Sequence, residues 1–366
     1  DSLWSVWQDN NNHSDDRVKA LSGFIFQSFD SYPDSTLKLT HTMEGYARDI
    51  QDDYQVLESF YLRGLNYYYK SAYDSAIFCL NHAAEGYAEM DSPADVAVVQ
   101  NRLGLVYNAQ GDYVRALEAY QKSLQFGMKQ NDTLKMSNAY NNIGLVKLTQ
   151  GDYAGAREAF RSTLHLDFAS GRTYGSGIVF NNIGLSFQRE ERFDSAIHYL
   201  TTAIEHRDEV GKSSRNGRTY SNLAVCKSNF GDEKGALQAI RKSIELLVER
   251  GDYKGLVSSY NVLGNIHQSA GRHEQAQRYC AKGYRLARKH GIQEGEKYNC
   301  RCLYEVHRAQ GQYQKALAYL ERQKELEDSL YSDERIRQLT RLEMQQSVFE
   351  RQLADSLEFV EEVYEV

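Results

Sequence analysis

The chain has 366 residues, a net charge of −7 at pH 7, 41% hydrophobic and 12% aromatic residues, two prolines and five cysteines. No basic stripe is available to displace counterions from phosphates, which argues against nucleic acid as the main partner, and the longest apolar runs fall far short of the ~18 residues that span a bilayer. Cys79, Cys226, Cys280, Cys300 and Cys302 form neither an even framework nor a CxxC pair; zinc is not expected, and small buried hydrophobes is the favoured reading, with a bridge from Cys280 to Cys300 or Cys302 the alternative.

Residues 1–16 open with Leu3, Trp4 and Trp7 at helical spacing, followed by the polar run DNNNHSDD. This predicts a short cap helix, needed because the end of a stacked array would otherwise expose its core face to water. Further on, NRLGLVYNAQGDYVRALEAYQKSL from Asn101 to Leu124 has the spacing of a helical hairpin. Gly111 can end the first helix in a left-handed conformation, and Asp112 can accept from the free N–H groups that open the second.

With Gly104 as marker, the position recurs in steps of 40 residues at Gly64, Gly144, Gly184, Ala224, Gly264 and Tyr304. Twelve residues after each marker stand Ala76, Ala116, Ala156, Ala196, Ala236, Ala276 and Ala316, where two helices must approach closely. One step earlier, Phe24 and Thr36 mark a divergent unit. Within the array, Gly175 to Gly177 fall near a helix start, where glycine is costly. GKSS at Gly211 to Ser214 lacks both the earlier glycine and the strand of a phosphate-binding loop.

These residues resemble the tetratricopeptide repeat in a 40-residue form. The resemblance covers residues 17–328 and implies an all-α, right-handed superhelix of eight helical hairpins, the first one divergent. Ala224 and Tyr304 depart from the marker glycine, and Glu233 and His273 from the aromatic seen at Tyr113, Tyr153 and Phe193.

No catalytic motif, metal-ligand set or cofactor fingerprint is found. His267 and His307 fall on aromatic positions of the repeat and read as core or surface residues rather than ligands. What repeats is a polar ladder. At 100° per residue, positions six and three before the marker and one, four and five after it share an arc of about 100°; the resemblance implies that this arc lines the concave groove. The candidate groove residues are Asn101, Asn141, Asn181, Arg189, Arg218, Ser221, Asn261, Asn265, Arg301 and Arg308, over an apolar floor including Leu105, Leu145 and Leu185. An asparagine column can both donate to and accept from the backbone of an extended peptide. The alternative is that these side chains bond neighbouring helices and hold the repeats in register, as Asn142, Asn182 and Asn222 are expected to do.

Residues 329–366 read as a long polar helix with a narrow seam, Leu339, Leu342, Gln346, Phe349, Leu353, Leu357, Val360 and Tyr364. That seam predicts a coiled coil and a homodimer, with folding back onto the last repeat as the alternative. The opening DSLWSVWQDNNNHSDDRVKAL, with SYPDSTLKLTH and the late segment FERQLADSLEF, resembles extracytoplasmic repeat domains of Bacteroidetes-type membrane signalling proteins. This implies a non-catalytic sensor outside the cytoplasmic membrane that binds a peptide or protein. A membrane helix beyond this chain would lead to an adenylate or guanylate cyclase, or to a histidine kinase. A soluble cytoplasmic regulator or a scaffold is the other expectation.

Overall fold

The structure is a computed structural model that describes residues 2–28, 32–173, 175–209 and 211–329. The tail helix expected beyond Ser329, its seam and its pairing with a second chain lie outside these residues. Among the described residues every regular element is helical, and the chain divides into two compact units at Glu191.

The first unit holds α1 (Ser2–Gln8), α2 (Ser14–Ser28), α3 (Pro33–Asp49), α4 (Asp53–Tyr69), α5 (Tyr73–Glu89), α6 (Pro93–Ala109), α7 (Tyr113–Gln130), α8 (Thr133–Gln150), α9 (Tyr153–Ala169) and α10 (Ser176–Arg189). The short α1 lies on the first helix pair, with Trp4 against Phe24 at 4.9 Å and Trp7 against Tyr46 at 5.0 Å between ring centroids. Arg17 crosses the Trp7 ring and donates from Nε to the Trp7 carbonyl at 3.0 Å.

Helix starts follow from side-chain chemistry. Asp52, Asp112 and Asp152 each accept from the N–H three residues on, and Asp132 accepts from two, which satisfies donors that the first turn leaves open. The two prolines, Pro33 and Pro93, open α3 and α6, where a missing N–H costs nothing.

The marker glycines are the points where paired helices close. A Cβ on Gly104 would lie 2.5 Å from Tyr120 Cε1, and one on Gly144 2.6 Å from Phe160 Cε1. These rings, and Leu80 over Gly64, are fully buried beside Ala76, Ala116 and Ala156. The partner of the glycine is therefore the large residue sixteen positions later, and the alanine one turn before it gives the backbone room to approach. In the divergent pair, Thr36 at the small position is buried and donates to Asn66 Oδ1 at 2.9 Å.

The second unit begins at Arg192. It holds α11 (Phe193–Glu209), a 3₁₀ turn (Ser213–Asn216), α12 (Gly217–Phe230), α13 (Glu233–Glu249), α14 (Tyr253–Ser269), α15 (His273–Lys289), α16 (Gln293–Ala309) and α17 (313–329). Asp232 and Asp252 cap α13 and α14 in the same way.

One expectation is corrected here. Cys280 on α15 and Cys302 on α16 form a disulfide, with 6.1 Å between their Cα atoms, whereas unbridged burial was the favoured reading. The two side chains meet beneath Gly264, whose absent Cβ leaves the space. Cys300 faces away and stays a buried thiol, pushed up to about 12 chiefly by burial; burial likewise pushes the free Cys226 up to about 12 and raises the free Cys79. An odd number of cysteines does not reveal which two the helix packing brings within bonding range.

Candidate binding faces

In the first unit the marker helices α6, α8 and α10 carry Asn101, Asn141 and Asn181, all half-buried, beside the half-buried Leu105, Leu145 and Leu185. Asn101 is not free to meet a ligand through its oxygen, because Asn142 Nδ2 donates to Asn101 Oδ1 at 2.9 Å. Here the register-holding role falls on Asn101 together with Asn142. Asn181 also has an interaction within the chain. Asn141 differs: its Oδ1 is buried with no hydrogen-bond partner, and so is Gln188 Oε1 on α10. Arg189 is exposed at the end of α10.

The column stops at α4, where Tyr61 takes the asparagine position and its hydroxyl accepts from Arg102 Nε at 3.2 Å. On the same helix Glu58 accepts from the Tyr87 hydroxyl at 2.9 Å. Burial raises the Glu58 carboxyl above its ordinary range, and the Tyr87 bond only partly offsets this. Tyr54 is pushed up to about 12 by burial first and then by the charge of Asp95.

In the second unit most of the same arc is internally paired. Arg218 holds Asp252 through Nε and Nη2 at 2.8 and 3.0 Å, which raises the arginine and lowers the aspartate. Ser221 is buried, 7% exposed, and lines no open face; α12 turns that position inward. Asn261 Nδ2 donates to the Tyr298 carbonyl at 2.9 Å, and Asn265 Nδ2 to Asn261 Oδ1 at 3.1 Å. Arg308 pairs with Glu305 at 2.8 Å. Arg301 is exposed and makes no ion pair among the described residues. The alternative reading, bonds that hold helices in register, therefore describes Asn261 and Asn265, while Arg218 and Arg308 are neutralised by their own chain.

His267 and His307 are buried and stack on Tyr279 and Tyr319, with interplanar angles of 10° and 2°. Burial lowers both imidazoles below their ordinary value, which suits neutral core rings. Among the described residues no group of three His, Cys, Asp or Glu side chains is arranged for a metal ion, and no helix is long and apolar enough to cross a membrane.

Helix pairs that close on small residues such as Gly64, Gly104, Gly144 and Gly264 define a helical-hairpin solenoid. Tetratricopeptide-repeat family models match residues 95–167 and 256–290. The chain is built of tetratricopeptide repeats. No curated protein sequence matches it. Among solved structures, the apo quorum sensor NprR from B. thuringiensis is 14% identical, with a TM-score of 0.65 over 78% of this chain and 82% of that one. A signal-transduction ATPase with a tetratricopeptide-repeat sensor from Pyrococcus horikoshii is 12% identical, with a TM-score of 0.67 over 89% of this chain and 50% of that one. The Rap conjugation gene regulator of plasmid pLS20, in complex with the Phr* peptide, is 13% identical, with a TM-score of 0.58 over 86% of this chain and 95% of that one. At these identities the likeness is one of fold.

Proposed function

We propose that this chain is a sensor domain in which the marker-helix face of the first unit binds an extended peptide or protein segment. The observation that carries this reading is the pair of unpartnered amide oxygens, Asn141 Oδ1 and Gln188 Oε1, on successive marker helices. Leaving a buried acceptor unmet is unfavourable; both side chains are half-buried, and turned outward their oxygens meet the backbone N–H groups that an extended chain supplies at regular intervals. Leu145 and Leu185 offer apolar contact beside them. The Phr*-bound regulator and the NprR quorum sensor, similar in fold, support a peptide as the ligand class.

The wider context we propose is the extracytoplasmic part of a membrane signalling protein, with a class III adenylate or guanylate cyclase as output and a histidine kinase second. The resemblance of the opening and tail segments supports this, and the Cys280–Cys302 disulfide suits an oxidising compartment. In this reading the tail pairs with its copy in a second chain and carries the signal onward. The rival is a soluble cytoplasmic regulator, and likeness in fold to the Rap conjugation gene regulator supports the regulatory role in it. A leader before Asp1 and about 20 apolar residues after Val366 in the full gene would favour the membrane sensor.

The groove is tested by selecting a random peptide display library on the parent and on an Asn141→Ala, Gln188→Ala double variant. Peptides enriched by the parent should be lost by the double variant, with its melting curve unchanged. Equal enrichment by both proteins would remove the groove assignment.

A further inference from the structure

We propose that the turn joining α11 to α12 is a binding site for a small oxyanion, a phosphate or carboxylate group, held by the buried guanidinium of Arg207. Three arginines are buried among the described residues, Arg63, Arg157 and Arg207. Two of them are neutralised by a carboxylate from elsewhere in the chain. Arg63 Nη2 donates to Glu44 Oε2 at 2.6 Å, and Arg157 holds Glu190 through both terminal nitrogens at 2.9 and 3.1 Å.

Arg207, 9% exposed, has no such partner. Its Nη1 donates to Asn216 Oδ1 at 3.2 Å and to Thr219 Oγ1 at 2.6 Å. Both acceptors are neutral, and Nε and Nη2 make no hydrogen bond among the described residues and are not sealed from solvent, so an anion can reach them. A buried guanidinium without a counter-charge is strongly disfavoured unless an anion completes it. The nearby charge makes matters worse, since burial and then the positive charge of Arg215 both disfavour the protonated form of Arg207.

The surroundings hold this arrangement in place. Asn216 Nδ2 donates to the Ile204 carbonyl at 3.2 Å and to Asp208 Oδ1 at 2.9 Å. These bonds fix the asparagine oxygen toward Arg207 and engage the Asp208 carboxylate elsewhere. Gly211 takes a positive φ of 68°, and the Lys212 N–H returns to the Arg207 carbonyl at 2.7 Å. The tight turn thereby gathers Arg207, Lys212 and Arg215 within one stretch of sequence. At 40-residue steps the position of Arg207 is occupied by Tyr87, Gly127, Asp167, Leu247 and Ala287, so the cation is peculiar to this hairpin. Planar guanidinium donors suit two oxygens of one phosphate or carboxylate.

The test is thermal unfolding and calorimetric titration of the full chain with sodium phosphate, sodium sulfate and sodium acetate, each against sodium chloride at equal ionic strength. Phosphate and sulfate should raise the melting temperature saturably if the site takes a tetrahedral anion, and acetate if it takes a carboxylate. Arg207→Gln should weaken that binding by about tenfold or more. Should this variant not fold, Arg215→Ala on the exposed turn should fold as the parent does and weaken binding several-fold. The proposal is overturned by no saturable shift with any of the three anions, or by a shift that survives unchanged in Arg207→Gln. An unaltered affinity in Arg215→Ala, where that variant has to stand in, overturns it as well.

Discussion

The two units close the same turn with different residues. In the second unit the left-handed position between helices is glycine at 211, 231, 251, 271, 291 and 311. In the first it is glycine at 111, 151 and 171, while Gln51, Ser71, Asp91, Asn131 and Glu191 adopt φ values of 58°, 58°, 52°, 53° and 59°. The positions recur every 20 residues, half of the sequence repeat. Hairpin and inter-hairpin connections thus share one conformation, imposed by the need to reverse a helix in three residues. A side chain in that conformation is strained by roughly 1 kcal/mol, which glycine avoids. The first unit carries five such positions; the second has none among its described residues, and it also holds the disulfide.

The largest expected effect that separates the units is reduction of Cys280–Cys302. Removing a cross-link over a sequence separation of 22 residues should destabilise the second unit by about 3 kcal/mol. Both tryptophans, Trp4 and Trp7, lie in the first unit. Urea unfolding followed by tryptophan fluorescence should therefore be unmoved by reductant, while the far-UV circular dichroism transition shifts to lower urea. A parallel shift of both signals would mean that the units unfold as one.

Next come the turns themselves. Ser71→Gly and Gln51→Gly should each stabilise the first unit by about 0.5–1 kcal/mol, and Gly251→Ala should destabilise the second by a similar amount. The fluorescence midpoint reads the first pair and circular dichroism the last. Loss of stability in Ser71→Gly would show that its side chain contributes more than the turn strain removes.

A smaller effect, opposite in sign between named groups, is expected from pH. His267 and His307 are lowered from 6.5 by burial, so the unfolded chain binds the extra protons. Their stabilisation is present above pH 6.5 and is lost as the pH falls through the range below it. Glu58 is raised from 4.5 by burial; the folded state binds the extra proton, and stability declines as the pH rises above 4.5. His267→Phe with His307→Phe should flatten the first slope, and Glu58→Gln the second, in urea midpoints measured from pH 4 to 8. Unchanged slopes in these variants would assign the titration to other groups.

The smallest difference, about 0.5 kcal/mol between two equivalent asparagines, distinguishes the two polar faces. Asn261→Ala removes the bonds to the Tyr298 carbonyl and to Asn265 and should cost about 1 kcal/mol. Asn141→Ala gives up no bond to its Oδ1 and should change stability by less than about 0.5 kcal/mol. If Asn141→Ala proves the more damaging of the two, the contrast between an open and a paired face is wrong.

The fold was legible because Gly104, Ala116 and their equivalents repeat at a fixed interval, and small residues at helix crossings leave that mark in any sequence. The half-interval of 20 residues was hidden, since Gln51, Ser71 and Glu191 do not look like turn residues; only the backbone shows that they share a conformation with Gly111. The ladder was legible as a pattern and not as chemistry. Asn101, Asn141 and Asn261 occupy equivalent positions, yet one accepts from Asn142, one has an unmet oxygen, and one reaches the Tyr298 carbonyl. Those differences depend on which side chain the next helix presents, and on distances that spacing along the chain does not encode. Arg207 illustrates the same limit: its identity is plain in the sequence, and the missing counter-charge is visible only once Asn216 and Thr219 are found around it.

The shared turn also bears on how the chain can change in length. Gly111-Asp112-Tyr113 and Gly151-Asp152-Tyr153 are identical in sequence, and their glycines have φ values of 79° and 84°. Excising residues 112–151 joins Gly111 to Asp152 and restores the same tripeptide in the same conformation, with Gly104 now followed by Ala156 and Phe160 as the partners it would meet. Such direct repeats are substrates for unequal recombination, which adds or drops whole hairpins without leaving a seam. Copy number is then a heritable variable that selection can adjust without having to invent a new loop.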